Sequence, residues 1–561
     1  MNNKLVSVMN NFSESEIDRL LGELKDSLIE WSIGKEMATK RNKIEIIISV
    51  NGLKLFEDEK FKYNFFSALP ENDCKEIATH FGISAESFDQ GKVAYKLSKI
   101  KFADNEGYNY LIKNYFEIVD YNFAEAVKGS KVDVIGKLGV SNFYELFDYQ
   151  YMIKQKVVND LANPNLRLTK ILIHMPTGTG KTKTTMHIIS HYLNFVSKNK
   201  GIIVWIAHTN ELLQQAYETF QTVWSHLGTF DVNVFKGWIE FPTDISNGVL
   251  FTTIQSLQTK MGSSILKDIA DNASLIIFDE VHKAGASKYK ECVDYLMKID
   301  NNFNKKFIGL TATPGRVTEI SRENKLFSDE FERSVEINVD LVNMISLSKA
   351  EAENYQGSKE IIPYFQENRY LAVLKRENLD YDLDAVLLAK IKKDLESKKE
   401  DFSPTLIQEI SLNKARNIKI VEKLKELNSN NIPTIVFACS LQHAKMLSAF
   451  LRLLGISNSL VHGELAWFDR QKAISDFKTG KVNIIINFDI LTTGFDSTNI
   501  KCVFITRPTK SVILYSQMIG RGLRGPKMGG NKECKLIDVK ENLNSFADEN
   551  AAFRHFDQYW R

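Results

Sequence analysis

Residues Lys170–Thr182 read KILIHMPTGTGKT: an apolar, β-branched run that breaks into a glycine-containing turn and closes on Lys-Thr. A helix-like stretch, TTMHIISHYL, follows almost at once. Strand, turn and helix in that order form the setting in which a turn holds phosphate. Gly178 and Gly180 let the backbone wrap closely, so that successive N–H groups point inward at a helix N-terminus. Lys181 offers a point charge to β- and γ-phosphates, and the Thr182 hydroxyl offers an oxygen to Mg²⁺. Met175 stands where the strict pattern has glycine, which leaves the wrapping to Thr177, Gly178, Thr179 and Gly180.

A second signal lies about a hundred residues downstream. In LIIFDEVH (Leu275–His282) an apolar strand delivers Asp279 and Glu280 at its carboxyl end. In open α/β sheets ligands gather at the carboxyl ends of strands. Two adjacent carboxylates there could be a solvated turn. Paired with an upstream phosphate loop they read as a hydrolysis site, with Asp279 beside Mg²⁺ and Glu280 polarising the attacking water.

Around these two segments, short apolar runs alternate with helical patterns. Lys170–His174, Gly201–Ala207, Gly248–Thr252, Ser274–Phe278 and Lys306–Leu310 read as strands buried on both faces of a parallel sheet. Glu211–Trp224 reads as a helix between them. After about residue 340 the pattern breaks into a charged, helix-like stretch that includes KIKKDLESKKED (Lys390–Asp401), read as a solvated helix face. A second alternating block follows in Pro433–Ala438, Ser459–Val461, Val482–Asn487 and Cys502–Thr506. The expected division is an N-terminal accessory domain over 1–140, a first α/β lobe over 141–340, a helical connector over 341–410 and a second lobe over 411–561.

The N-terminal part carries no recognisable chemistry. ESEIDRLLGELKDSLIEWS and LPENDCKEIATHFGI read as helices, and NKIEIIISVNGLKL as a strand with a turn at Asn51-Gly52. A small, mainly helical or α+β domain is the expectation. At the far end Phe553, Phe556 and Trp560 fall at helical spacing, as a stripe that would pack on the second lobe.

The net charge of +2 over 561 residues decides nothing about partners, because a groove that grips a phosphate backbone needs local charge rather than a global excess. The five cysteines are scattered and include no CxxC pair, which argues against a disulfide framework or a zinc site. The opening residues lack a signal-peptide pattern, and no run approaches the length of a membrane-spanning helix. A cytoplasmic protein is the expectation.

The motifs, in order, resemble those of the superfamily 2 helicases of the DExH type, nearest in character to the helicase subunits of type I and type III restriction enzymes. The resemblance covers about 145–540. LFDYQ (Leu146–Gln150) is similar to the segment whose glutamine reads adenine, here Gln150. MPTGTGKT is motif I, and AHTNELLQQ (Ala207–Gln215) resembles motif Ia, with His208 where many relatives have proline. FTTIQSL (Phe251–Leu257) resembles motif Ib, DEVH is motif II and TATP (Thr311–Pro314) motif III. VFACS (Val436–Ser440) resembles motif IV, LTTGFD (Leu491–Asp496) motif V and QMIGRGLR (Gln517–Arg524) motif VI.

The resemblance implies two tandem RecA-like lobes, each a parallel sheet with helices on both faces. It implies ATP and Mg²⁺ between them, with Lys181, Thr182, Asp279, Glu280 and His282 on one side. Gln517, Arg521 and Arg524 stand on the other, the arginines as fingers that stabilise charge on the γ-phosphate. Gly494 and Asp496 would lie near the ribose. Candidates for nucleic-acid backbone contacts are Thr209, Asn210, Gln255, Ser256, Ser440, His462, Gly463, Thr492 and Thr493; any Thr or Ser among them serves equally well as a helix cap.

The expected function is an ATP-dependent helicase or translocase, on DNA in preference to RNA, in a restriction or antiphage setting. An RNA helicase is the nearest alternative. A nucleic-acid sensor that acts through the N-terminal domain and a partner is the alternative of a different class. No HxD or HxK repeat and no D…ExK set marks a nuclease in this sequence, so cutting or other effector activity would belong to a protein partner.

Overall fold

The computed structural model describes residues 2–25, 39–84, 88–103, 105–118, 131–136, 144–163, 168–281, 287–298, 305–312, 336–340, 361–382, 384–397, 401–492, 495 and 497–539. Among them are two large sheets.

The first contains β1 (Val132–Ile135), β2 (Leu168–His174), β3 (Ile202–Ala207), β4 (Val232–Lys236), β5 (Gly248–Thr253), β6 (Ala273–Asp279), β7 (Lys305–Thr311) and β8 (Glu336–Asp340). Its order is β1-β4-β5-β3-β6-β7-β2-β8. Every pairing is parallel except that of β1 with β4. Strands β3, β5, β6 and β7 are buried at every position, as their unbroken apolar runs require. One face packs Ile171, Ile203, Phe251 and Ile277 under helices Asp148–Leu161, Lys181–His191 and Asn210–Leu227. The other packs Leu172, Val204, Leu250 and Phe278 under Ser264–Asn272 and its neighbours. This sheet and its helices are the first lobe. The antiparallel strand β1 extends it to residues before 141, the expected start of the first lobe.

The second lobe holds β9 (Val373–Leu379), β10 (Thr434–Phe437), β11 (Ser459–Val461), β12 (Ile484–Asn487), β13 (Cys502–Ile505) and β14 (Glu533–Val539), in the order β11-β12-β10-β13-β14-β9, all parallel. The tandem RecA-like arrangement is therefore present. The stretch expected to be a wholly helical connector supplies β9 instead, whose polar sequence VLKRENL suits an edge position with an exposed side. Helices Ala385–Leu395 and Pro404–Leu412 follow it and pack together through Leu387, Ile391, Leu406 and Ile410.

The N-terminal region is helical. NKIEIIISVNGLKL does not form a strand: Lys40–Asn51 is an α-helix, capped by the Thr39 hydroxyl and ended by Gly52 at a positive φ of 54°. Its isoleucines are buried among helices Asn2–Met9, Glu14–Leu21 and Leu441–Leu453, and that burial overrides their preference for strands. Glu71–His80 is a helix with Pro70 at its start, as expected. The aromatic stripe of Phe553, Phe556 and Trp560 lies outside the described residues. All five cysteines are free and buried. No helix among the described residues is long and apolar enough to cross a membrane.

Candidate active site

The turn after β2 has the conformation its glycines allow. Gly178 and Gly180 have φ of +86° and +82°, a region that side chains disfavour, and Gly180 caps helix Lys181–His191. Thr179 is fully buried, and its hydroxyl donates to the Pro176 carbonyl at 2.7 Å. The Lys181 ammonium donates to the Met175 carbonyl at 3.2 Å. Burial lowers the pKa of Lys181; the carboxylates of Glu280 and Asp279 oppose that, and Arg521 adds to it. The four charged groups thus share one electrostatic environment.

Asp279 ends β6 and is buried. Glu280, the next residue, has a φ of +54°. A non-glycine residue in that region stores roughly 1 kcal/mol or more of strain, and such residues concentrate at functional sites.

A cavity of about 340 Å³ lies between the lobes. Thr177, Gly178, Gly180, Lys181, Thr182, Asp279 and Glu280 line it from the first lobe, and Arg521 and Arg524 from the second. The lobes touch: a Cβ on Gly520 would collide with Thr177, and one on Gly178 would lie 3.5 Å from Leu371. Arg521 is held by its Nη1 donating to the Phe495 carbonyl at 2.6 Å and its Nε to the Gln517 carbonyl at 3.2 Å. The Thr182 hydroxyl and the Asp279 carboxylate are hard oxygen donors on one wall. Two such protein oxygens, with phosphates and water for the rest, are the donor set that suits Mg²⁺.

Two candidates take other places than expected. Gln150 is fully buried beneath the phosphate loop rather than presented to a base. Its Oε1 accepts from the Phe147 N–H at 3.0 Å and its Nε2 donates to the Thr179 carbonyl at 2.9 Å, so both ends of the amide are engaged within the chain. Gln517 is also buried; its main chain supports Arg521, while its side chain does not line the cavity. His282, Gly494, Asp496, Thr493 and the Thr313-Pro314 end of motif III lie outside the described residues.

Sequence reading missed Tyr144, Phe147, Lys183, Lys527 and Met528, which line the same cavity. The Lys183 ammonium stands 4.2 Å from the centre of the Tyr144 ring, and that of Lys527 4.4 Å from the Tyr370 ring. The aromatic pair three residues apart, just ahead of Gln150, was the available signal.

The candidates for nucleic-acid contact lie beyond the carboxyl ends of their strands. Thr209 and Ser440 each cap a helix through the hydroxyl, accepting from the N–H of Leu212 and of His443. The Ser256 hydroxyl shares a 2.8 Å hydrogen bond with that of Thr253. Asn210, Gln255 and Gly463 are exposed. Thr492 is nearly buried, its hydroxyl 3.5 Å from the Asp489 carbonyl. His462 is withdrawn from solvent: it is 2% exposed and its Nε2 lies 3.3 Å from the Val50 carbonyl of the N-terminal region. Burial, the largest cause, pushes its pKa down to about 4, so the ring is neutral at physiological pH and offers no charge to a phosphate. Beyond these groups, the Arg470 guanidinium of the second lobe meets the Glu211 carboxylate of the first at 2.5 Å.

A phosphate loop and paired carboxylates on one sheet, facing two arginines from a second, define a two-lobed P-loop protein. Residues 143–316 match the family model "Type III restriction enzyme, res subunit", and residues 416–525 match "Helicase conserved C-terminal domain". Both lobes thus match helicase domain models, and the chain is similar to the superfamily 2 helicases. It is 25% identical over 400 residues to the putative ATP-dependent helicase IRC3 of Saccharomyces cerevisiae, covering 70% of this chain and 51% of that one. It is 26% identical over 427 residues to the type I restriction enzyme EcoAI endonuclease subunit of Escherichia coli, covering 72% and 47%. A solved fragment of a putative HsdR subunit from Vibrio vulnificus matches with a TM-score of 0.45 at 19% identity, covering 71% of this chain and 65% of that one. The chain spans about half the length of the curated relatives it matches.

Proposed function

We propose that this chain is an ATP-hydrolysing nucleic-acid motor with DNA as its track. The observation that carries the reading is the meeting of Lys181, Asp279 and Glu280 from one lobe with Arg521 and Arg524 from the other in a single cavity. A nucleotide seated there has its phosphates against the N–H groups of the glycine turn and the Lys181 charge. Glu280 accepts the proton of the attacking water. Arg521 and Arg524 meet the negative charge that develops as the terminal phosphate leaves. Thr182 and Asp279 would hold Mg²⁺, which would supply Lewis-acid charge at the phosphate oxygens. Because the two halves of the site ride on separate sheets, nucleotide binding favours lobe closure and hydrolysis releases it.

DNA is favoured by the match to a restriction-enzyme family model and by a restriction-enzyme subunit among the relatives. The same similarity supports a place in a restriction or antiphage complex with a protein partner. Steady-state ATP hydrolysis without nucleic acid, then with single-stranded DNA, duplex DNA and RNA, tests the reading beside a Glu280→Gln variant. The expected outcome is strong stimulation by DNA that vanishes in the variant. Stimulation by RNA alone would replace the track, and hydrolysis indifferent to every nucleic acid would overturn the motor.

A further inference from the structure

The phosphate loop is held from behind, and the group that holds it touches the second lobe. The Thr179 carbonyl accepts two hydrogen bonds, from the Tyr149 hydroxyl at 2.8 Å and from the Gln150 amide at 2.9 Å. In a trans peptide the carbonyl and the following N–H point to opposite sides. Pinning the Thr179 oxygen toward Tyr149 and Gln150, behind the loop, therefore turns the Gly180 N–H the other way, into the cavity that Gly180 lines. Tyr149 is 2% exposed, and burial above all raises its pKa far beyond the physiological range, so its hydroxyl is a permanent donor.

The Tyr149 ring is itself clamped. It stands edge-on to Phe365, with centroids 4.8 Å apart, and to Tyr370 at 5.0 Å. Tyr370 stands edge-on to Phe147 at 5.0 Å as well. The segment that carries Phe365 and Tyr370 leads directly into β9 and is strapped to the turn that bears the arginines. Gly525 N–H donates to the Tyr370 carbonyl at 3.0 Å, Ala372 N–H to the Leu523 carbonyl at 2.7 Å, and Lys527 N–H to the Arg369 carbonyl at 3.0 Å. A continuous set of contacts thus runs from the backbone on either side of Arg524, around the outside of the cleft, to the peptide unit that faces the phosphates.

We propose that Tyr149 is a positioning residue through which the second-lobe segment Phe365–Ala372 sets the phosphate loop for nucleotide. The proposal rests on the nucleotide reading of the cavity. It gives the two lobes a second line of communication besides the nucleotide itself: when the arginine turn moves, Tyr370 moves with it, and the ring beneath Thr179 follows. Gln150 supplies the other hydrogen bond to the same carbonyl, so losing the tyrosine hydroxyl weakens the hold without abolishing it.

The test compares Tyr149→Phe, which keeps the ring and removes the donor, with Tyr370→Leu, which keeps an apolar side chain and removes the ring contact. KM and kcat for ATP, the affinity for a fluorescent ATP analogue and the melting midpoint are measured for each variant and for the double variant. Tyr149→Phe is expected to raise KM about five- to tenfold, with kcat within about twofold and the midpoint within about 2 °C. Tyr370→Leu should do the same, and the double variant should be no worse than the poorer single, because the two residues act in series. A merely structural role would move the midpoint and spare the split between KM and kcat. Unchanged KM in Tyr149→Phe, or losses that multiply in the double variant, would overturn the proposal. If the parent chain neither binds nor hydrolyses ATP, the nucleotide reading fails first, and that is seen before any variant is made.

Discussion

The two lobes bury the same kind of parallel sheet in different ways. The first packs its own helices on both faces; among the described residues the core on its far face draws on residues between Leu172 and Phe307, while the near-face core runs on into second-lobe residues such as Leu371, Phe437 and Ile505. The second covers one face with its own helices and shares the other. There Val436, Ile484, Ile486 and Phe504 belong to one continuous core with Leu5, Ile17, Ile47, Phe56 and Phe65 of the N-terminal helices, joined through helix Leu441–Leu453. The described N-terminal helices therefore pack as a further layer on the second lobe. Two polar contacts seal it: the Leu53 N–H donates to Asp469 at 2.7 Å, and His462 meets the Val50 carbonyl. The lobes also divide the charges of the cleft, with Lys181 and the carboxylates on one and Arg521 and Arg524 on the other.

The division of charge can be broken most sharply at Arg521. Arg521→Ala should lower turnover by about 10³-fold or more while nucleotide affinity falls far less; Lys181→Ala, on the other lobe, should lose both. Stopped-flow binding beside steady-state hydrolysis separates the two. A variant of Arg521 that turns over normally would remove the second lobe from the chemistry.

The shared core is tested next. Leu447 is fully buried in it, and Leu447→Ala should cost about 2–5 kcal/mol. Hydrogen exchange should then rise together in Lys40–Asn51 and in the second lobe. Leu266→Ala in the first lobe's own core should leave the N-terminal helices protected. Independent exchange of those helices in the Leu447 variant would mean that they are a module after all.

A smaller effect is expected at Asp469. Burial raises its pKa from 3.8 to about 6, against the pull of the Leu53 N–H and of Lys472. The folded chain thus holds this proton more tightly than the unfolded chain. The contribution to stability is complete below pH about 4 and is lost as the pH rises through 6. Asp469→Asn keeps an acceptor for Leu53 without the charge. It should melt with the parent near pH 4 and a few degrees higher at pH 7.5, roughly 3 kcal/mol. Equal midpoints at both pH values would deny Asp469 a part in docking. Smallest of all is the pair between Glu211 and Arg470, part-exposed at both ends. A double-mutant cycle with Glu211→Gln and Arg470→Gln should return about 0.5–1 kcal/mol of coupling between the lobes.

What was legible in the sequence follows the same contrast. The first lobe announced itself because glycines, a lysine and paired carboxylates must sit at strand ends for chemical reasons, and its strands are apolar throughout. β9 did not, since an edge strand with one wet side reads as polar coil. The helix Lys40–Asn51 reads as a strand because its isoleucines favour strands locally, and only the partners supplied by helices Asn2–Met9, Glu14–Leu21 and Leu441–Leu453 decide otherwise. Gln150 and His462 were placed by motif, but burial lies in the third dimension: one is closed beneath a turn and the other under a layer more than 400 residues away in sequence. The clamp of Phe365 and Tyr370 on Tyr149 joins segments that no spacing rule connects.

The left-handed backbone at Glu280 carries a cost that selection can see. Glycine would occupy that φ of +54° without penalty. A population screened for heat resistance alone should drift toward Glu280→Gly, gaining roughly 1 kcal/mol and losing hydrolysis. One screened for turnover should return to glutamate each time. The residue proposed as the site's base is thus one the fold alone would exchange for glycine.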